Sequence, residues 1–149
     1  MRGVIGLDIG GVNTKAVWRD GDALRTVLRS YDVVRDREAL ITVVRDVVAE
    51  LAGEPAELVA LTMTAELSDA FRTKREGVGF VLDAVEAAVP GRILAFTTAG
   101  ELVGVAEARA RPLDVAAANW VASALAVGAR HPHAPVSYTH LTLPTILLV

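Results

Sequence analysis

The sequence predicts an α/β fold: a mixed sheet that opens as an antiparallel three-strand meander and then alternates strands with helices. Three observations carry this. Residues 4–9 form an apolar run that turns on Gly10-Gly11 into a second β-like run. Two later stretches place apolar residues at helical spacing. Each of those stretches is followed by a short apolar run with the length of a buried strand.

Taken in order, Val4–Ile9 is the first strand and Thr14–Arg19 its hairpin partner. The Asp20-Gly21-Asp22 turn leads to a third strand, Leu24–Arg29. Asp36 caps the first helix, whose inner face is Leu40, Val44, Val47, Val48 and Leu51, and Gly53 and Pro55 stop it. Leu58–Met63 is a strand. Val78, Val81, Leu82, Val85 and Val89 mark a second helix, closed by Pro90-Gly91. Ile93–Thr97 is another strand, and Pro112 opens a last helix that runs to about Val127. The order β-β-β-α-β-α-β-α is that of a three-layer α/β sheet. No internal repeat or low-complexity linker interrupts residues 1–135, which read as one domain.

Composition narrows the function classes. The chain has 149 residues, enough for a core of its own, and 52% of them are hydrophobic against 5% aromatic. That core is therefore built of Val, Leu, Ile and Ala. The net charge is −3, and no stripe of Lys and Arg is interleaved with aromatics, so nucleic acid is not expected as a partner. There is no cysteine, which excludes disulfides, thiolate metal sites and a thiol nucleophile. The N-terminus lacks the layout of a signal peptide, and no uncharged apolar stretch has the length of a membrane span. A cytoplasmic protein is expected, with a small phosphate-containing molecule as its partner and self-association left open.

The chemistry is concentrated in VIGLDIGGVNTK, residues 4–15. A buried strand that ends in Asp and turns on Gly-Gly brings bare backbone close to an anion, because the glycines tolerate φ > 0 and carry no Cβ. Gly10, Gly11, Asn13 and Thr14 are the candidate phosphate cradle, with Lys15 as a point charge. Asp8 is the candidate metal and catalytic residue, placed to hold a hydrated Mg²⁺. The expected ligand carries phosphate. An ordinary hairpin with a Gly-Gly turn is the plainer reading.

Other candidates lie at the ends of later strands, which in α/β sheets face the ligand crevice. Thr64, Glu66 and Asp69 follow the Leu58–Met63 strand as substrate or catalytic residues. The plainer reading makes Thr64 a helix N-cap, with Glu66 in the first turn. Lys74 and Arg75 form a clamp for a diphosphate or, more simply, a solvated helix start. Thr98 follows the last strand, where Gly100 suggests a turn. Asn119 shares a face with Val115, Ala122 and Ala126 on an otherwise apolar helix, where a buried amide must serve the cleft or tie the helix down. Trp120, opposite, is expected in the core, and His131 and His133 are expected in a loop.

LDIGGVNTK (7–15) resembles the first phosphate loop of the actin-like ATPase superfamily, which includes sugar kinases, heat-shock chaperones and the hydantoinase/oxoprolinase proteins. With LTMTAELSDAF (61–71), TKREGVGFVLDAV (73–85) and DVAAANWVASALA (114–126), the chain is similar to the branch linked to tetrahydromethanopterin and one-carbon transfer. The resemblance implies a ribonuclease-H-like half-domain. It also implies a reaction of methanofuran synthesis, in which an aminomethylfuran diphosphate is joined to a tyramine-type phenol. Asp8 would then organise Mg²⁺ and Glu66 would assist the nucleophile. Within the same superfamily, the alternatives are an ATP-dependent hydantoinase or oxoprolinase and a sugar-kinase-like phosphotransferase; a nucleotide-sensing binding module is a further reading.

From Val136 the sequence is VSYTHLTLPTILLV, without Lys, Arg, Asp or Glu. It resembles translated sequencing-adaptor read-through. The expectation is therefore a non-native tail over 136–149 on a truncated half-domain, inactive by itself.

Overall fold

The computed structural model describes residues 3–51 and 56–133. Six strands form one mixed sheet: β1 (Val4–Ile9), β2 (Asn13–Asp20), β3 (Ala23–Ser30), β4 (Leu58–Met63), β5 (Arg92–Phe96) and β6 (Leu102–Gly104). The spatial order is β3-β2-β1-β4-β5-β6. β1, β2 and β3 pair antiparallel, β4 runs parallel to both β1 and β5, and β6 closes antiparallel on β5. This is the expected mixed α/β sheet, an antiparallel β1-β2-β3 meander joined through β1 to the parallel strands β4 and β5.

Period-two burial decides which face of the sheet is core. Ile5, Leu7 and Ile9 on β1 and Val59, Leu61 and Met63 on β4 are buried. They meet α1 (Leu40–Leu51) through Leu40, Val44, Val47 and Leu51, and α2 (Lys74–Ala88) through Val78, Val81, Leu82 and Val85. Asp36 Oδ1 accepts the Ala39 N–H at 3.2 Å, so the expected cap is made, although the first turn, Arg37–Ala39, is 3₁₀. The expected stop signals Gly53 and Pro55 lie outside the described residues. Gly21 has the positive φ of its turn, 57°.

The C-terminal third differs from the expectation. Glu101 is followed by β6, which a three-residue strand is too short to announce by periodicity. The β5–β6 turn is built by Thr97: its N–H bonds Glu101 O at 2.9 Å, and its buried hydroxyl accepts the Glu101 N–H at 3.1 Å. Gly100 supplies φ 83°. A helix α3 (Val105–Ala110) precedes Pro112, and the expected single last helix is two: α4 (Pro112–Val115) and α5 (Asn119–Gly128). They are separated at Ala117, which has φ 52°. The helical phase is lost there, so Asn119 opens α5 instead of lying mid-helix. Trp120 is 47% exposed, not in the core.

α1 and α2 cover one face of the sheet, with α4 packed against α2. On the other, α5 lies against β4, so the third layer is partial among the described residues. None of their helices is long and apolar enough to cross a membrane.

Candidate functional site

Period two places Asp8 on the second face, with Gly6 beside it on β1 and Ala60 and Thr62 on the adjacent β4. Because β1 and β4 are parallel and in register at Asp8↔Thr62, the two side chains meet. Thr62 Oγ1 donates to Asp8 Oδ1 at 3.1 Å. Lys15 is opposite Asp8 in the β1–β2 ladder, and its Nζ stands 3.6 Å from Asp8 Oδ2. These three residues border an open cavity of about 640 Å³. Gly6 and Ala60 form its floor, Val17 and Leu28 stand toward one edge of the sheet, Phe96 and Leu102 toward the other, and Ala122 comes from α5. A mostly apolar recess with a few convergent polar groups is the usual form of a small-molecule site.

The Gly10–Asn13 turn closes on a Gly10 N–H to Asn13 O bond of 2.8 Å. The carbonyls of Gly11 and Val12 accept the N–H groups of Val33 and Tyr31. That leaves the Gly11 and Val12 N–H groups without a bond among the described residues. Neither Gly10 nor Gly11 has positive φ, so the expected conformational reason for glycine does not apply. Space does: a Cβ at Gly10 would sit 3.0 Å from Asn13 O and 3.6 Å from Thr64 Oγ1, and one at Gly11 would sit 3.7 Å from Ser68 Cβ. The loop after β4 is thus packed on the turn, and the Thr64 N–H bonds Ile9 O at 2.9 Å.

The other expected residues separate into groups. Asn13 opens β2, paired with Ser30. Thr14 is fully buried, and its hydroxyl has no partner among the described residues. Thr64 heads a 3₁₀ turn, Ala65–Leu67, without a side-chain cap bond. Asp69, Lys74, Arg75 and Thr98 are exposed, with Lys74 and Arg75 in the first turn of α2. Among the described residues no hydrogen bond or ion pair joins these side chains, or that of Asn119, to the glycine turn. Two residues that the sequence reading did not select enter the site. Thr62 is the partner of Asp8, and its signal was alternation, a polar residue between buried Leu61 and Met63. Ser68, beside Gly11, has a buried hydroxyl with no partner among the described residues; only the packing of two loops distant in sequence reveals it.

Glu66 is 2% exposed. Its Oε1 accepts the Ala117 N–H at 2.7 Å, and its Oε2 is buried with no partner among the described residues. Burial pushes its pKa above the ordinary value, and the bonds from backbone N–H groups and the Lys74 charge only partly offset this.

Mg²⁺ is commonly held by one or two carboxylates together with water and phosphate oxygens. Asp8, with 28% of its side chain exposed at the cavity, fits that pattern as the single carboxylate. No group of three or more His, Cys, Asp or Glu among the described residues is placed to hold a metal ion. Asp8 is therefore the residue that would hold such an ion, with Lys15 Nζ 3.6 Å from it.

Residues 57–135 match the hydantoinase/oxoprolinase family. Over 121 residues the chain is 34% identical to (4-{4-[2-(gamma-L-glutamylamino)ethyl]phenoxymethyl}furan-2-yl)methanamine synthase of Methanocaldococcus jannaschii. That alignment takes in 81% of this chain and 35% of the relative, so the chain spans about a third of the curated relative's length. Among solved structures, YeaZ from Pseudomonas aeruginosa is similar at 18% identity, 64% of this chain, 43% of that chain and TM-score 0.37. RuvC of T. thermophilus, in complex with a Holliday junction substrate, is similar at 19%, 62%, 64% and 0.38 in the same order. Likeness at that level carries nothing about function.

Proposed function

The chain belongs to the hydantoinase/oxoprolinase family, and on that premise we propose that it forms the phosphate-binding part of an enzyme of methanofuran-linked one-carbon metabolism. The reaction proposed is the joining of an aminomethylfuran diphosphate to a tyramine-type phenol. The product named for the relative contains a phenoxymethyl link to a furan. In making that link, the phenol oxygen bonds the furanylmethyl carbon while the bond from that carbon to the diphosphate oxygen breaks. The phenolic proton is taken up by solvent water.

The observation that carries this reading is the placing of Asp8 and Thr62 near the ends of β1 and β4, with Lys15 opposite Asp8 on β2, one turn from Gly11 and Val12 N–H groups that have no bond among the described residues. The diphosphate leaves with growing negative charge. Backbone N–H groups and the Lys15 ammonium stabilise that charge, and because they are fixed beforehand little reorganisation is needed. Bound Mg²⁺ would add Lewis-acid stabilisation of the leaving group, held by Asp8, which Thr62 orients. The apolar cavity floor of Gly6 and Ala60 suits a flat ring.

The experiment supplies the full-length protein with both substrates and Mg²⁺ and measures diphosphate release. Expected is release that needs both substrates and falls at least a hundredfold in Asp8→Ala. No release, or release unchanged in that variant, overturns the proposal. The family match also supports a second reading, in which the same turn binds ATP to activate an amide for hydrolysis. Phosphate release from ATP that depends on a hydantoin or oxoproline, with no diphosphate release from the furan, would favour it.

A further inference from the structure

We propose that Glu66 is a positioning residue: its buried carboxyl ties the corner between α4 and α5 to the end of β4 and thereby holds α5 in place as a wall of the cavity. This assigns Glu66 a role other than assisting the nucleophile. It does not depend on which ligand the cavity takes.

The geometry is specific. Glu66 lies in the 3₁₀ turn directly after β4, four positions beyond Thr62, which bonds Asp8. Its Oε1 accepts the Ala117 N–H across 51 residues of sequence, at 2.7 Å. Ala117 is the residue that breaks the helix, and it does so with φ 52°, a conformation that alanine adopts only when its surroundings impose it. Ala116 and Ala118 on either side are buried at 7% and 0% and carry no polar side-chain atom. The carboxyl is therefore the side-chain hydrogen-bond acceptor at the corner, satisfying an N–H that the broken helix leaves without an intrahelical partner.

The packing around Glu66 supports a fixed role. A Cβ on Gly77 would stand 2.6 Å from Glu66 Cα, so α2 presses its backbone directly on this residue. A second tie runs nearby, from the Thr98 N–H after β5 to Asp114 O at 2.7 Å. The ends of β4 and β5 are thus each pinned to the α4–α5 segment. Three residues beyond Asn119, α5 presents Ala122 to the cavity that holds Asp8, Lys15 and Thr62. A carboxyl 2% exposed and absent from the cavity lining is poorly placed to meet a substrate, but it is well placed to fix the wall. Its raised pKa agrees, since a neutral carboxyl keeps the acceptor oxygen and loses the cost of a buried charge.

The test is amide hydrogen exchange of the full 149-residue chain, read residue by residue by NMR for wild type, Glu66→Gln and Glu66→Leu. Gln keeps an acceptor at Oε1; Leu keeps bulk and removes it. In wild type the Ala117 amide should be protected at least tenfold over an unstructured amide. Glu66→Gln should preserve that protection within about threefold. Glu66→Leu should lower it at least tenfold at Ala117 and in the first turn of α5, with protection in β1 and β2 unchanged. Rescue by Gln separates an acceptor role from mere filling of space. If Leu matches wild type at Ala117, or Gln loses as much as Leu, the proposal is overturned. If Glu66→Leu does not fold, the wild-type and Gln measurements still decide, because an unprotected Ala117 amide in wild type rules out the tether.

Discussion

Single residues at this site are governed by what surrounds them more than by their own chemistry. Glu66 illustrates the sign of a buried carboxyl. Its folded-state pKa is raised above the ordinary value of about 4.5, chiefly by burial. The stability it contributes is therefore fully present below that value and is lost as pH rises through the raised value. Glu66→Gln removes this dependence. The variant should equal wild type near pH 4 and exceed it at pH 7, which urea midpoints across that range would reveal; parallel curves would contradict the raised pKa. Gly77 tests packing at the same spot. Alanine in a helix is favoured over glycine by about 1 kcal/mol, but a Cβ 2.6 Å from Glu66 Cα and 2.9 Å from Phe71 Cδ2 must displace backbone. Overpacking of this kind costs about 1–3 kcal/mol. Gly77→Ala should be destabilising overall, and a gain in unfolding free energy would mean that α2 is free to move there.

At the scale of elements, the start of α2 is decided by its cap. Thr73 Oγ1 accepts the Glu76 N–H at 3.1 Å, and Glu76 Oε2 reaches back to the Arg72 N–H at 3.0 Å, close to a capping box. The charged run Lys74-Arg75-Glu76 is thus the solvated first turn of a helix. Its buried residues, Val78, Val81, Leu82 and Val85, belong to the same core cluster as those of β1 and β4, so fraying at the cap loosens that core. Thr73→Ala should cost about 1 kcal/mol, measured as a shift in urea midpoint at unchanged slope. A variant equal to wild type would mean that the cap bond contributes nothing. The α4–α5 corner is the opposite case. It has no glycine and no side-chain cap of its own, and its partner lies on another element.

At the scale of the molecule, the two faces of the sheet differ. One is sealed by α1 and α2; the other exposes Leu24 and Leu28 at 62% and 61%, with Leu102 at the opposite end. Apolar surface of this extent favours association. The 149-residue chain should gain mass-average weight with concentration in sedimentation velocity, and Leu24→Ser with Leu28→Ser should reduce the gain. A monomer at every concentration would contradict this reading. Residues 136–149, expected from the sequence to be a non-native tail, lie outside the described residues. Deleting them should change unfolding free energy by less than about 0.5 kcal/mol, the range of substitutions that touch nothing; a larger loss in urea denaturation would make them part of the fold.

The sequence by itself determined what depends on near neighbours. β1 and β4 begin and end where the apolar runs do, and Asp36 caps the first helix because alternation, helical periodicity and capping all act within a few residues. The strand-end Asp8 and the Gly10-Gly11 turn were legible for the same reason. Tertiary structure alone decided the rest. Thr62 becomes the partner of Asp8 through a parallel pairing 54 residues apart in sequence. Ser68 reaches Gly11 through the packing of two loops. Thr14 turned inward, and the last helix broke at Ala117, where no glycine or proline marked a break. Glu66 was legible as an acid after a strand, but its bond to Ala117 was not. A contact between distant segments leaves no periodic trace in either, and it is fixed only when the sheet brings their ends together.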